Sequence, residues 1–267
     1  MKDSVEIIYQ AREIVVCHKM PGIPVQTAKT GQQDMVSMLR NYFARKNEPI
    51  DIFVVHRLDQ PVEGVMVFAR TKKAAAALSR QVQEKSMDKY YLALAEGAFQ
   101  EPSGILEDHL LRDGKTNTSR VVPKGTKGAK EAKLLYEVKK VITAPEKINS
   151  ILGRTPSLVM QQFPTARQPG IKQQPGEIQN LGKKQQPEAV SLVKIRLETG
   201  RHHQIRVQLA HAGHPLVGDK KYNKNCSTGY MPVGLCSVKT AFCHPVTGQQ
   251  MEFTVEPKGK LFLEAES

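Results

Sequence analysis

The sequence has no tryptophan, few other aromatic residues and only four cysteines. Phe, Tyr and Trp together make up 6% of the 267 residues. The cysteines include no C-x-x-C pair, which argues against a disulfide framework and against the common zinc motifs. We therefore interpret them as reduced, mostly buried thiols. They are Cys17, Cys226, Cys236 and Cys243.

Long apolar runs are also missing. No stretch of 18 residues is free of charge and apolar throughout, so the sequence predicts no membrane-spanning helix. The first residues contain no apolar segment of the secretory type. We therefore predict a cytoplasmic protein.

Three glycine-based motifs that mark common enzyme classes are absent. The sequence lacks G-x-x-x-x-G-K-[S/T], G-x-G-x-x-G after a strand, and G-x-S-x-G. These absences argue against a phosphate-binding loop, a dinucleotide cofactor and a serine hydrolase. We predict no cofactor.

Acidic residues are too few to balance the basic ones. Asp and Glu number 26 against 39 Lys and Arg, which gives a formal net charge of +13. Such a surplus favours a polyanionic partner, because each neutralised phosphate releases condensed counterion. We predict a nucleic acid partner, and the alternative is a basic protein that charge keeps soluble.

Short alternating segments predict strands near residues 5–9, 14–17, 52–55, 65–68, 89–95, 104–111, 132–141, 191–197, 234–242 and 251–255. Helical periodicity predicts helices at residues 32–46, after an N-cap at Thr71, and at 202–213. Many strands with few helices argue against a doubly wound design. The predicted fold class is α+β, with a large, mostly antiparallel mixed sheet and flanking helices.

Residues 144–188 are rich in glutamine and proline, and such a composition is typical of partly disordered segments. The flanking segments 132–141 and 191–197 are expected to be adjacent strands of one sheet. We therefore interpret residues 144–188 as an insertion within a single domain that spans residues 1–267.

A metal site and a catalytic carboxylate are the remaining candidates. Only His211 and His214 approach a zinc-ligand spacing, and they lie across a helix end, so we predict no metal site. The histidines and cysteines weighed for that site are His202, His203, His211, His214, Cys226, Cys236 and Cys243. Asp59, in a turn between two predicted strands, is the best placed carboxylate. Its neighbour Arg57 leaves a surface ion pair as the alternative.

Several motifs occur together and in a fixed order. They are K-M-P-G at residues 19–22, H-R-L-D at 56–59 followed by Gly64 and an apolar strand, K-Y-Y-L-A at 89–93, T-G-R-H-H-Q-I-R at 199–206, H-P-L-V-G-D at 214–219 with Tyr222, and H-P-V-T-G at 244–248. This set resembles the RluA-type pseudouridine synthases. Apart from the insertion, the resemblance covers nearly the whole chain.

The resemblance implies isomerisation of uridine to pseudouridine in a structured RNA (rRNA or tRNA), without cofactor or metal, by a monomer. It implies that Asp59 is the catalytic carboxylate, acting as nucleophile or base, and that Arg206 pairs with it. Tyr91 is expected to contact the base and to assist removal of its C5 proton.

The resemblance also implies how the RNA is held. Arg57 is expected to enter the base stack that the target nucleotide vacates, and Leu216 to pack against the target base. His56, Lys89 and Arg201 are expected to contact RNA. The basic segment 112–130, as a β-arm or mobile loop, is expected to contact phosphates.

Two departures from the family pattern affect the expected substrate. Val62 and Glu63 stand where a Thr-Ser pair is usual, and Lys19-Met20-Pro21-Gly22 replaces the usual Lys-Pro-x-Gly. Glu63 is expected near the site, where it would alter which RNA fits. With Asp59 so early, we expect no N-terminal S4 domain. The alternative function is a catalytically inactive RNA-binding protein on the same fold.

Overall fold

A computed structural model describes residues 5–152, 187–226 and 232–266. These residues form one mixed sheet of eleven strands with five helices, which confirms the α+β class. The strands are β1 Glu6–Gln10, β2 Ile14–Lys19, β3 Phe53–Val54, β4 Glu63–Ala69, β5 Asp88–Glu96, β6 Ser103–Asp113, β7 Thr118–Val122, β8 Lys130–Ile142, β9 Val190–Leu197, β10 Leu235–Cys243 and β11 Gln250–Thr254. The helices are α1 Met35–Arg45, α2 Lys72–Gln83, α3 Pro145–Ile151, α4 Gln204–His211 and α5 Lys260–Glu266.

The sheet is built in the order β1-β2-β4-β10-β5-β9-β8-β6-β7, with β3 on β4 and β11 on β10. Strand β10 runs parallel to β4, and the other described pairings are antiparallel. Strands β8 and β9 pair over most of their length, as predicted. The chain between them therefore leaves the sheet and returns to the neighbouring position.

Side chains alternate between the two faces of the sheet, and each face carries its own core. Met66, Phe68 and Ala93 belong to the cluster against which α1 and α4 pack. Val65 and Val67 point to the opposite face, where α2 covers one cluster. A further cluster on that face is covered by α3 and α5. Both faces of the central strands are thus buried.

The starts of α2 and α4 follow from local features of the chain. Thr71 caps α2 by accepting a hydrogen bond from the Ala74 backbone N–H, as predicted. Helix α4 begins at Gln204 and not at residue 202, which corrects the predicted start. His203 has a φ of 54°, a left-handed conformation that a helix interior does not accept.

Helix α3 lies inside the predicted insertion. Its Ile148 and Ile151 are buried with Leu261 and Phe262 of α5, so this end of the segment is part of the core. Residues 153–186, which carry most of the glutamines and prolines, lie outside the described residues.

The basic segment 112–130 forms a β-arm, which is one of the two predicted alternatives. Strands β6 and β7 pair from His109 with Val122 to Asp113 with Thr118. We call residues 109–122 the β6–β7 hairpin.

Among the described helices, none is long and apolar enough to cross a membrane.

Candidate active site

Asp59 lies in the loop between β3 and β4, and the buried side chain of Lys19 holds that loop in place. Lys19 is fully buried, and its Nζ donates hydrogen bonds to the carbonyl oxygens of Val62 (2.6 Å), Gln60 (3.0 Å) and Met20 (3.2 Å). Gly64 follows with a φ of 138°, and a Cβ atom there would collide with the Ser237 backbone. The loop is therefore fixed on the C-terminal side of Asp59.

We predict that Lys19→Met lowers the free energy of unfolding by about 2–3 kcal/mol, because buried carbonyl groups lose their donor. Burial lowers the pKa of Lys19 from 10.5 to about 7. An unfolded lysine keeps its proton up to its ordinary pKa, so the unfolded state binds more protons between these values. The difference in free energy of unfolding between the wild type and the variant should therefore increase, in favour of the wild type, as the pH rises above 7. Urea unfolding of both proteins at pH 6 and pH 9 measures this difference in free energy. If the difference is the same at both pH values, the pKa of Lys19 is not lowered.

Arg206 on α4 joins Asp59 to a second carboxylate. Its Nη1 donates to Asp59 Oδ2 at 2.9 Å, while its Nε and Nη2 donate to Asp219 Oδ2 and Oδ1, both at 2.7 Å. The Arg206 and Asp219 side chains are buried, and that of Asp59 is 28% exposed. Asp219 thus orients the guanidinium, and the guanidinium orients the exposed carboxylate.

Asp219 was not predicted as a site residue. It was recognised only as the end of the motif at residues 214–219. A buried arginine that faces a catalytic carboxylate needs a second acceptor for its remaining N–H groups, and this requirement is the signal that was available.

Arg57 does not pair with Asp59. Its side chain is exposed and its Nη2 donates to Gln26 Oε1 at 3.2 Å. The local ion pair that the sequence left open is therefore absent from this part of the described chain.

Tyr91 on β5 lines the same cavity as Asp59, and its side chain is buried. Burial raises the pKa of Tyr91 well above its ordinary value, against the opposing effect of a hydrogen bond with Ser237. The phenol therefore keeps its proton at neutral pH. It lies where it can contact a nucleobase held in the cavity.

The other predicted RNA-contacting residues divide into two groups. His56, Lys89 and Arg201 line the cavity with Asp59. Leu216 is fully buried and bridges to Ala95, so it belongs to the core and not to the described cavity wall.

Burial lowers the pKa values of His56 and Lys89, which both line the cavity. Burial, with a smaller effect from Lys89, lowers the pKa of His56 to about 3. His56 accepts the Val67 N–H at Nε2 (3.2 Å), so it anchors the H-R-L-D segment as a neutral ring. Burial lowers the pKa of Lys89 to about 8.

The cavity itself has a volume of about 940 Å³. Asp59 is the one carboxylate among its described lining residues. The cationic lining residues are Arg57, Lys85, Lys89, Arg112, Arg201, Arg206 and Lys221. A single carboxylate within a basic wall suits a polyanionic ligand that is modified at one point.

Glu63 lies away from this cavity, which corrects its expected position. It accepts hydrogen bonds from His18 Nε2 (2.9 Å) and from the backbone N–H groups of Lys258 (2.7 Å) and Gly259 (2.9 Å). Glu63 follows Val62 by one residue, and this offset turns its side chain to the opposite face. It anchors the chain before α5 and does not contact the described cavity wall.

The residues weighed for a metal site are not brought together as one. His202 and His203 stack at 3.7 Å and bond to Ser119, Asn117 and Tyr222. The described residues do bring His18, Glu63 and Cys236 together. Both Glu63 oxygens already accept hydrogen bonds, so this cluster is occupied by protein donors.

The family model for RNA pseudouridylate synthase matches residues 13–211. The chain is 28% identical over 248 residues to the uncharacterized RNA pseudouridine synthase YhcT of Bacillus subtilis (strain 168), covering 92% of this chain and 66% of that protein. It is 27% identical over 254 residues to ribosomal large subunit pseudouridine synthase C of Buchnera aphidicola subsp. Schizaphis graminum, covering 92% and 65%.

The chain thus spans about two thirds of the length of these two relatives. Among solved structures, human RNA pseudouridylate synthase domain containing 1 superposes with a TM-score of 0.67 at 20% identity. That match covers 96% of this chain and 84% of the human one. The family model alone covers well over half of the chain, and the chain belongs to the RNA pseudouridylate synthase family, of the RluA type.

Proposed function

We propose that the protein is an RNA pseudouridine synthase that isomerises uridine within a structured RNA. The observation that carries this proposal is the position of Asp59. It is a partly exposed carboxylate held by Arg206, in a cavity whose other charged lining residues are cationic. Tyr91 stands on the same wall. Family membership supports this reading, and no observation favours an inactive RNA-binding protein.

The reaction is balanced without a co-reactant. The bond from uracil N1 to ribose C1′ breaks, the base turns, and C5 bonds to C1′. N1 gains a proton and C5 loses one. Asp59 supplies the carboxylate for this exchange, as nucleophile or as base. We propose that Tyr91, which lines the same cavity, contacts the base and assists removal of the proton from C5.

The target nucleotide has to leave its stack to reach Asp59. Extrusion costs a few kcal/mol and less from a loop or bulge than from a duplex. Arg57 is exposed at the cavity wall and unpaired with Asp59, which suits insertion into the vacated stack. The β6–β7 hairpin contributes Arg112 and Asn117 to the same wall, and we propose that it contacts the RNA backbone.

The substrate class is proposed to be rRNA or tRNA. The name of the Buchnera relative refers to the large ribosomal subunit, which supports rRNA. We further propose that residues 1–267 act as one catalytic domain, as a cytoplasmic monomer without a metal. These last features stay predictions from the sequence.

A tritium-release assay tests the proposed function. The purified protein is incubated with 5-tritiated uridine RNA from a strain that lacks the gene. Pseudouridine formation releases tritium to water, and mapping of pseudouridines with and without the gene then identifies the uridine. Absence of tritium release from both rRNA and tRNA would overturn the proposal.

RNA binding is predicted to depend steeply on salt. Contacts to several phosphates should give a plot of log K against log salt with a slope of about −2 or steeper. The double variant Arg112→Gln, Lys221→Gln, which removes two of these contacts, should reduce the magnitude of that slope by about 1.5. Lys139→Gln is the matched control, because Lys139 is exposed and pairs with Glu137 away from the described cavity lining. Filter binding over a salt series measures the slopes; equal slopes for the three proteins would contradict the predicted contacts.

A further inference from the structure

His203 lies between Tyr222 and Asp59, and neither His203 nor Tyr222 has a role in the proposed reaction so far. Its Nδ1 is 2.7 Å from the Tyr222 hydroxyl. Its Nε2 is 3.6 Å from Asp59 Oδ2, the oxygen that also accepts from Arg206. The His203 side chain is 5% exposed, so solvent does not compete for these nitrogens.

A backbone hydrogen bond determines which group is the donor and which is the acceptor in the series Tyr222, His203 and Asp59. The Ser119 backbone N–H on β7 donates to the Tyr222 oxygen at 2.8 Å. The Tyr222 O–H is then free to donate to His203 Nδ1. A neutral imidazole that accepts at Nδ1 carries its proton on Nε2. This tautomer places the N–H on the ring nitrogen that lies 3.6 Å from Asp59 Oδ2.

The electrostatic surroundings hold these protonation states. Burial lowers the pKa of His203 to about 4, so the ring is neutral near pH 7. Burial also raises the pKa of Tyr222, which keeps its O–H available as a donor. The charged or titratable groups that face the ring are Asp59, Arg206, His202, Lys221 and Tyr222.

We propose that His203 is a positioning residue that fixes Asp59 through Oδ2, with its tautomer set by Tyr222, and leaves Asp59 Oδ1 to react with the nucleotide. The kinetic part of this inference rests on the proposed function. Oδ2 faces two donors from α4 and its N-cap, while Oδ1 accepts no hydrogen bond from the described residues. The two carboxylate oxygens thus have separate tasks.

The same chain of groups connects the β6–β7 hairpin to Asp59. Ser119 belongs to the hairpin, and its hydroxyl also bonds His202 Nδ1 at 2.9 Å. Lys221 Nζ donates to the Asn117 carbonyl at 2.6 Å. A hairpin seated in this way supplies the backbone donor that orients Tyr222.

The tautomer is tested without reference to activity. Long-range ¹H–¹⁵N correlation spectra of the full chain distinguish the two neutral forms of His203 from the cation. The expected result is a neutral ring with its proton on Nε2 at pH 6 to 8, and a shift toward Nδ1 protonation in Tyr222→Phe. A proton on Nδ1 in the wild type, or no change in the variant, would overturn the proposal even if the protein were inactive on every RNA tried.

Kinetics then separate positioning from a structural role. His203→Asn suits the left-handed backbone but is too short to reach Asp59, and it should lower kcat by about tenfold with KM unchanged. His203→Gln keeps an N–H at the reach of Nε2 and should stay within about threefold of the wild type. Tyr222→Phe should lower kcat in the wild-type background but not in the His203→Gln background.

Tyr9→Phe is the matched control, because Tyr9 packs against Phe253 outside the described cavity lining. It should leave kcat unchanged. Equal losses in His203→Asn and His203→Gln that follow a fall in Tm, or an undiminished effect of Tyr222→Phe in the Gln background, would overturn the positioning role. A wild type that releases no tritium would count against the proposed function instead, and the spectra would still decide on the tautomer.

Discussion

Replacing Asp59 with asparagine is expected to lower the rate of tritium release by at least about 1000-fold, to the level without protein. The amide has nearly the shape of the carboxylate but is neither a base nor a nucleophile. Arg206 keeps both of its hydrogen bonds to Asp219, so the cavity wall should stay in place. Single-turnover assays with excess protein measure the chemical step separately from RNA binding.

RNA affinity is the control for this variant. Removal of one negative charge from a basic cavity should leave binding unchanged or tighter. The free energy of unfolding should change by about 1 kcal/mol or less, because the Asp59 side chain is partly exposed. If Asp59→Asn retains activity within tenfold, the catalytic carboxylate is assigned to the wrong residue.

Replacing Asp219 with asparagine is expected to have the largest effect on stability. Asp219 is fully buried and accepts two hydrogen bonds from the Arg206 guanidinium. An amide at this position leaves the buried Arg206 guanidinium with the partly exposed Asp59 as its remaining charged partner. The amide N–H₂ group would also face the N–H groups of Arg206. Breaking a buried pair in this way costs about 3–5 kcal/mol. Urea unfolding of both proteins measures the difference.

The chain contains a natural comparison for this variant. Arg196 and Asp88 form a pair at 3.2 Å in which both side chains are more than 40% exposed. Asp88→Asn should therefore cost less than about 1 kcal/mol. Equal effects of Asp219→Asn and Asp88→Asn would mean that burial does not determine the strength of the Arg206 pair.

The features that the sequence predicted correctly have local causes. Alternation of apolar residues predicted β5 and β9, because the apolar side chains of these strands are buried against the faces of the sheet. Thr71 was predicted as a cap because it accepts a backbone N–H three residues later. The pairing of Arg206 with Asp59 spans 147 positions, and only the family resemblance placed those two residues together.

The features that the sequence did not predict depend on which way a side chain points after a turn. Glu63 was placed near the site, yet its side chain bonds His18 on the face opposite to the one where its neighbour Val62 packs. Leu216 was placed against the target base, and its neighbours in space, such as Ala95, bury it completely. His203 adopts a left-handed conformation that helical periodicity does not reveal.

The position of β10 in the sheet has a consequence for how the protein is made. Asp59 precedes β4 and Tyr91 lies on β5, and β10 is the strand that separates and joins those two. The ribosome synthesises residues 235–243, which form β10, long after it has synthesised β4 and β5. Until then β4 and β5 lack the strand that pairs with both of them, so we expect their facing edges to stay unpaired. Nascent chains that stop short of β10 should therefore lack activity, and they should depend on chaperones to keep these edges from pairing wrongly.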